Sequence, residues 1–197
     1  NGVDQDLIAL VYANLFDLSK NRELEADQRS YLISLRDDIL WSDGERITSD
    51  DVIFTLKLIQ DSSAHSPLFQ TWQGVVAERI SELQIRFVLP DPYVFFEKNL
   101  SRLVVVPKHI FGSIPPANLR LSVYNLEPVG SGPYKFSGYD KQRDGFITDY
   151  RLETSKNYFG KKPFIVGFAF KFYQDEAGLV EAFNSRARQR IRSQQTG

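Results

Sequence analysis

Apolar residues near the N-terminus follow the 3.6-residue period of an α-helix. The positions that share this spacing are Leu7, Ile8, Val11 and Leu15. Asp4 precedes them, and its carboxylate can accept hydrogen bonds from the free amides of a first helical turn. The pattern predicts a helix from Asp4 to about residue 15 with one buried face. It predicts no regular element for the polar stretch 19–30.

A short apolar run and a tight turn occupy the next part of the chain. Residues 31–35 predict a strand. Asp43 and Gly44 tolerate positive φ, so the segment 41–44 predicts a tight turn. The apolar residues of 52–59 fit either a strand or a helix. Thr48 and Asp51 resemble a capping box, and this start signal favours a helix over about 49–61.

Strands and helices alternate irregularly over the rest of the chain. Strands are predicted at 75–80, 83–89, 134–139, 146–153 and 165–173, with a buried extended run at 104–107. Helices are predicted at 94–103 and from Asp175 through Phe183. This order indicates an α/β or α+β fold and argues against a helical bundle or a β-sandwich.

Composition excludes several partners and chemistries. The chain has 24 Lys and Arg against 25 Asp and Glu, for a formal net charge of −1, so no basic field predicts nucleic-acid binding. Cysteine is absent, which excludes disulfides, thiolate nucleophiles and Cys-ligated metals. No residue cluster indicates a cofactor or a metal site, and none is expected.

Neither end of the chain carries a membrane-spanning pattern. No stretch approaches the ~20 apolar residues of a transmembrane helix. Methionine is absent even at position 1. We therefore expect the sequence to begin inside a longer precursor, which is compatible with a cleaved signal or a lipid anchor upstream.

The strongest catalytic candidate is Ser131, which lies between two glycines. A hydrolase nucleophile needs a base and an orienting acid, and only His65 and His109 could supply the base. Pro133 would obstruct the strand-to-helix turn of a nucleophile elbow. The Lys-Ser/Thr pair of a phosphate-binding loop is also missing. The pattern favours a rigid turn, and a Ser-dependent hydrolase stays an alternative.

Two aromatic residues lie beyond a loop, where no periodic core face explains them. Phe69 and Trp72 follow the predicted loop 61–67. Pockets combine aromatic walls with a few polar groups. These two side chains are therefore candidates to face a ligand, although burial in a core is the commoner role of such residues.

Five separate segments form a recognisable series. The longest spans residues 35–55 and contains W-S-D-G at 41–44 and T-S-D-D at 48–51. The shorter ones are Val106–Ile110, Pro128–Tyr134, Asn157–Gly160 with Lys162–Pro163, and Phe168–Phe172. In this order they resemble the extracellular solute-binding proteins of family 5 of ABC importers, the family that binds oligopeptides, dipeptides and nickel.

The resemblance implies an α/β (mixed α+β) fold, as a periplasmic-binding-protein-like lobe of type II. Residues 1–15 and 107–184 would form part of lobe I. Residues 16–106 would form the small α/β domain that the peptide-binding family inserts into that lobe. The second lobe would be missing, because family members are much longer. Residues 185–197 depart from the family pattern and predict a basic polar tail.

The resemblance also implies a function without catalysis. Family members capture oligopeptides or similar solutes and deliver them to an ABC permease in the membrane. We therefore expect an extracytoplasmic transport protein, monomeric, with no enzyme activity. It would lie in the periplasm or, as a lipoprotein, on the outer face of the cell membrane.

Seven residues are the ligand contacts that the resemblance predicts. The loop that approaches the ligand in the family corresponds to Pro67, Leu68, Phe69 and Trp72. The glycine loop near the cleft corresponds to Gly130, Ser131 and Gly132. Trp41, Asp43, Gly44 and Asp51 are expected to be structural. One lobe leaves a solute half solvated, so we expect peptide binding by this chain to be millimolar or weaker, with a binding free energy of about −4 kcal/mol at millimolar affinity. A truncated structural or interaction remnant is the third alternative.

Overall fold

The computed structural model describes residues 2–93 and 95–184. Its helices are α1 (Gly2–Val11), α2 (Leu15–Leu18), α3 (Ser49–Gln60), α4 (Phe69–Trp72), α5 (Phe96–Leu100), α6 (Lys108–Phe111) and α7 (residues 176–184). Its strands are β1 (Ser19–Leu24), β2 (Ser30–Leu35), β3 (Val76–Ser81), β4 (Gln84–Val88), β5 (Tyr134–Lys141), β6 (Ile147–Thr154) and β7 (Gly167–Lys171). Short 3₁₀ turns lie at Ser62–Ala64, Pro116–Leu121 and Val123–Asn125. Within the described ranges, every helix falls short of the length and apolarity that a membrane span requires.

The strands form two sheets. The first is antiparallel with the order β1-β2-β4-β3, and the second has the order β5-β6-β7. Contacts divide the chain into two compact units. One unit is Asn1–Phe136 with Glu153–Val166, and the other is Ser137–Leu152 with Gly167–Gly197. This mixed α/β organisation confirms the predicted fold class.

The hydrophobic core of the first unit lies beneath the four-stranded sheet. Ile85 and Phe87 alternate inward along β4 and are fully buried, as their period-2 spacing predicts. Phe96 of α5 packs on Trp72 with ring centroids 5.2 Å apart, and on Tyr31 at the same distance. Aromatic pairs of this kind contribute about 0.5–1.5 kcal/mol beyond the area that they bury.

The capping box at the start of α3 is confirmed. The Asp51 carboxylate accepts a hydrogen bond from the backbone N–H of Thr48 at 2.9 Å, and the Thr48 hydroxyl accepts one from the N–H of Asp50. The second oxygen of Asp51 accepts from the N–H of Lys108, also at 2.9 Å. One buried carboxylate therefore fixes the first turns of both α3 and α6, which supports the expected structural role of Asp51.

The first predicted helix is divided in the structure. α1 begins at Gly2, so Asp4 lies inside the helix rather than at its cap, and α1 ends at Val11. Asn14 then caps the separate α2, because its side-chain oxygen accepts from the N–H of Asp17 at 3.0 Å. The predicted buried face is also interrupted, since Ile8 is 44% exposed.

Other elements differ from the sequence pattern in length or in existence. β1 lies within the polar stretch 19–30, because an edge strand is held by backbone pairing with β2 and needs no apolar alternation. The helix expected at 94–103 is reduced to the five residues of α5. The last helix is confirmed, and Asp175 caps it by accepting from the N–H of Gly178 at 2.8 Å. The expected basic tail, 185–197, lies outside the described residues.

The predicted division into lobe I and an inserted domain does not coincide with the two compact units. Ala13 and Leu15 share one core cluster with residues of the predicted insert, 16–106. The predicted division depends on how a longer family member is assembled, and it stays a prediction for this chain.

Candidate functional site

The predicted ligand loop begins where α3 ends. Asp61 starts the 3₁₀ turn by accepting a hydrogen bond from the N–H of Ser63 at 2.8 Å, and it also accepts from the Ser63 hydroxyl. These bonds, above all the one from the hydroxyl, hold the pKa of the Asp61 carboxyl below its ordinary value. His65 ends the turn with φ 51°, the left-handed conformation that few residues other than glycine adopt. The loop is therefore a defined turn.

Two of the four predicted loop contacts line an open depression. Pro67 and Phe69 form its apolar wall, and His65 and Gln70 contribute polar groups, together with the hydroxyls of two serines. The depression has a volume of about 350 Å³. The lining combines an aromatic ring with polar groups and has no Lys, Arg, Asp or Glu, which suits contact with an uncharged segment of a peptide or a similar solute.

The other two residues of this loop face the protein interior. Leu68 is half-buried and packs against the core. Trp72 is 1% exposed, and its ring contacts Phe87 and Phe96 with centroids 5.9 and 5.2 Å away. The Trp72 side chain therefore lacks the accessible surface for direct contact with a solute in this structure. It supports the short helix that carries Phe69.

Sequence reasoning missed the residue that ties this loop to α3. The side-chain amide of Gln60 donates to the backbone carbonyls of Trp72 and Val75, each at 2.7 Å. Trp72 is the last residue of α4, and its carbonyl also accepts from the N–H of Val75 at 3.2 Å, so the Gln60 amide reinforces the turn that ends this helix. A glutamine near the end of an amphipathic helix is common, so the sequence carried no distinctive signal for this role.

The glycine loop is packed against backbone from two other segments. The N–H of Gly132 donates to the carbonyl of Val11 at 2.7 Å, and the N–H of Ser42 donates to the carbonyl of Gly130 at 2.8 Å. A Cβ at Gly130 would lie 2.0 Å from the Val11 oxygen, and one at Gly132 would lie 2.6 Å from the Leu10 oxygen. Both glycines are therefore required for close approach of backbone to backbone.

Ser131 also has a partner within the protein. It is 2% exposed, and its hydroxyl accepts a hydrogen bond from the N–H of Ala13 at 3.1 Å. His109 instead contacts the carboxylate of Asp43 at 2.8 Å, and His65 lines the depression beside Pro67. Among the described residues, neither histidine is hydrogen-bonded to Ser131. This geometry does not support the hydrolase alternative, which needs an accessible serine beside a base.

The W-S-D-G turn is held by Asn157, which belongs to the fourth segment of the series. The Asn157 amide donates to the carbonyl of Trp41 at 3.0 Å and to that of Ser42 at 3.3 Å. Trp41 is fully buried, and Gly44 has φ 102°, as a tight turn requires. The sequence indicated the motif around Asn157, but it did not indicate that the Asn157 amide binds the carbonyls of Trp41 and Ser42. The turn, the glycine loop and Asn157 form one structural joint.

The seven predicted contacts thus belong to two different places. Gly130, Ser131 and Gly132 are part of the joint with Val11 and Ser42. Pro67 and Phe69 line the depression, with Leu68 and Trp72 behind them. The lining of that depression includes no residue of the glycine loop. Within this chain, the open depression is the better candidate for contact with a solute.

Comparisons with known proteins agree with the motif series. The family model described as bacterial extracellular solute-binding proteins, family 5 Middle, matches residues 17–194. An ABC transporter peptide-binding protein of Brucella ovis is 28% identical over 173 residues, covering 86% of this chain and 31% of the relative. The oligopeptide-binding protein AppA of Bacillus subtilis is 26% identical over 166 residues, covering 79% and 30%.

A solved structure extends the likeness to the fold. The crystal structure of a peptide-binding protein AppA from Clostridium difficile is 29% identical and superposes with a TM-score of 0.77. The match covers 91% of this chain and 38% of that protein. The chain spans about a third of the length of the curated relatives that it matches. It therefore has the fold of part of such a binding protein.

Proposed function

Because the chain belongs to family 5 of the bacterial extracellular solute-binding proteins, we propose that it is the part of a binding protein that captures oligopeptides or similar solutes for an ABC importer. The single observation that carries this proposal is the family match over residues 17–194. Relatives named as peptide-binding proteins supply the solute class. The complete protein would work outside the cytoplasm and pass its solute to a membrane permease.

We propose different tasks for the seven site residues. Pro67 and Phe69 would contact the solute at the open depression. Leu68 and Trp72 would hold these two in place from the core side, and the Gln60 amide would fix the end of α4. Gly130, Ser131 and Gly132 would act indirectly, by keeping the joint with Val11 and Ser42 closed.

Capture would be non-catalytic and would need a second surface. The depression at Pro67 and Phe69 is open to solvent, so water competes for every polar group of a bound peptide. Enclosure between two surfaces excludes that water and strengthens the polar contacts. We therefore propose a monomeric protein without a cofactor, located in the periplasm or anchored as a lipoprotein, whose affinity depends on enclosure.

An NMR titration with peptides tests this function directly. The isotope-labelled 197-residue chain is titrated with a pool of three- to nine-residue peptides, and the pool is analysed by mass spectrometry afterwards. We expect shifts of the amides of Leu68 and Phe69, a dissociation constant in the millimolar range, about −4 kcal/mol, and intact peptides. Phe69→Ala should weaken the shifts, whereas Phe164→Ala, which removes a 95%-exposed ring outside the lining of this depression, should not.

Three other outcomes would contradict the proposal in different ways. Cleavage of peptides that Ser131→Ala abolishes would support the hydrolase. Micromolar binding would mean that the site is complete within this chain and that enclosure is unnecessary. A titration without saturable shifts up to about 10 mM peptide would favour a structural remnant that binds no solute.

A further inference from the structure

A second depression lies at the end of β6 and along the segment that follows it, within the first compact unit. Its volume is about 560 Å³, and its lining is more polar than apolar. Its lining residues include two lysines, Lys156 and Lys162, and three residues that carry hydroxyls, Thr154, Ser155 and Tyr158. This set of residues differs from the lining of the depression at Pro67 and Phe69, which has no Lys or Arg.

The charge of this second depression is positive. Its one acidic lining residue, Glu153, is paired with Lys135, whose ammonium lies 3.1 Å from the carboxylate. Within the part of the chain that the structure describes, Lys156 and Lys162 form no ion pair. The sequence contains no Asp or Glu between Glu153 and Asp175. Lys156 and Lys162 therefore outnumber the one acid of the lining, and that acid is paired with Lys135.

The backbone around this depression is fixed by the rest of the unit. The N–H of Thr154 donates to the carbonyl of Val166 at 3.1 Å, and the N–H of Ser155 donates to that of Pro133 at 2.9 Å. The amide of Asn157 holds the next turn against Trp41. The lining hydroxyls and Lys156 are thus carried on a backbone whose position is set before any ligand arrives, which lowers the entropic cost of binding.

Tyr158 adds a neutral hydrogen-bond donor to the lining. Its ring lies so close to Gly160 that a Cβ there would be 2.6 Å from three of the tyrosine's side-chain atoms. Burial, and secondarily the charge of Asp17, raises the pKa of the phenol above its ordinary value. The phenol is therefore protonated at neutral pH, and its O–H can donate a hydrogen bond to an anion.

We propose that this basic depression binds a carboxylate group, held by the ammonium groups of Lys156 and Lys162 and by the neighbouring hydroxyls. A carboxylate can accept several hydrogen bonds at once, and charge-assisted bonds of this kind are stronger than neutral ones. The carboxylate belongs either to a free organic acid or to the C-terminus of a peptide. The site is separate from the depression at Pro67 and Phe69 and does not depend on the proposed capture function.

The test uses three probes on the isotope-labelled 197-residue chain at low salt. They are succinate, trialanine with a free C-terminus, and trialanine amide. We expect saturable amide shifts at Ser155, Lys156 and Lys162 with a carboxylate probe and none at these residues with the amide. Saturation by succinate alone identifies a site for free acids, and saturation by trialanine as well identifies recognition of a peptide terminus. Shifts at Leu68 and Phe69 report the capture site separately.

Adjacent lysines supply a matched control. Lys162 lines the depression, whereas Lys161 does not and instead lies 5.8 Å from the ring of Phe164. Lys162→Gln should weaken succinate binding about twofold to fivefold, as expected for one exposed charge pair, and Lys161→Gln should leave it unchanged. Equal weakening by both variants would indicate general attraction and overturn the proposal. The absence of saturable shifts at the depression with both carboxylate probes would also overturn it.

Discussion

Two loops of this chain carry the same expectation of ligand contact but are built in opposite ways. The loop at 62–70 leaves Pro67 and Phe69 at the surface of an open depression. The loop at 130–132 is buried, and its backbone is bonded to Val11 and Ser42. Both contain turn-forming residues, and both belong to segments that resemble a solute-binding family.

The difference lies in how accessible each loop is to a solute. In the glycine loop, the N–H of Gly132, the carbonyl of Gly130 and the hydroxyl of Ser131 are all used by the chain itself. A glycine there permits backbone contact and does not provide an opening for a ligand. In the 62–70 loop, the N–H groups of His65 and Phe69 also bond within the loop, to the carbonyls of Ser62 and Ser66, but the side chains of Pro67 and Phe69 line an open depression. A loop rich in turn-forming residues is thus a candidate binding surface when its side chains remain accessible.

The largest expected effect is a difference in unfolding free energy between alanine variants of two aromatic residues in the same loop. Trp72→Ala should lower the free energy of unfolding by about 3–5 kcal/mol, because it empties a fully enclosed core position. Phe69→Ala should lower it by about 1 kcal/mol or less, because this ring is half-exposed beside solvent. Urea unfolding of the two variants and the unchanged chain measures both values.

Similar losses of unfolding free energy in Trp72→Ala and Phe69→Ala would contradict the view that Trp72 faces the core and Phe69 faces the solvent. Trp72→Phe provides the control for the core position, since it keeps an aromatic ring beside Phe87 and Phe96 while reducing volume. We expect it to be clearly less destabilising than Trp72→Ala. The Phe69→Ala chain should also keep the native amide spectrum outside the loop, which makes it suitable for the binding titration.

A smaller loss is expected when the glycine loop is made bulkier. Gly130→Ala places a methyl group 2.0 Å from the Val11 oxygen, so two backbone segments must separate. We expect destabilisation of about 2–3 kcal/mol. Gly145→Ala is the matched control, because its Cβ has open space and only the positive φ of 89° is unfavourable. A loss of about 1 kcal/mol is expected there. Equal losses would mean that the glycine loop is not tightly packed.

The sequence predicted most elements whose cause is local. The α3 helix followed from Thr48 and Asp51, and the burial of Ile85 and Phe87 followed from their alternation. β1 was missed because its partner strand, and not its own polar residues, holds it in place. The helix predicted from Asp4 to about residue 15 was too long, because the apolar spacing continues past Val11. The cap at Asn14, which starts the separate α2, was a local signal that this spacing did not include.

The candidate site was less predictable than the fold. Family likeness identified the loop at 67–72, but it could not tell that Trp72 points into the core. That direction depends on contacts with β4 and α5, which are distant in sequence. Gln60 and Asn157 act through long-range hydrogen bonds to backbone carbonyls, and such carbonyls have no sequence signature. Resemblance therefore located the segments, and three-dimensional contacts assigned their roles.

The smallest expected effect concerns acid and the start of the open loop. Hydrogen bonds from Ser63 lower the pKa of Asp61 in the folded chain below the ordinary value of 3.8. A carboxylate with a lowered folded pKa contributes stability that is fully present above 3.8 and is lost as the pH falls through the folded pKa. Asp61→Asn keeps a capping side chain but has no charge to lose. The stability difference between the unchanged chain and Asp61→Asn should therefore be constant from pH 7 to 5 and shrink below 3.8. Urea unfolding across this range measures it, and a difference that stays constant or grows in acid would show that the Asp61 charge does not hold this loop.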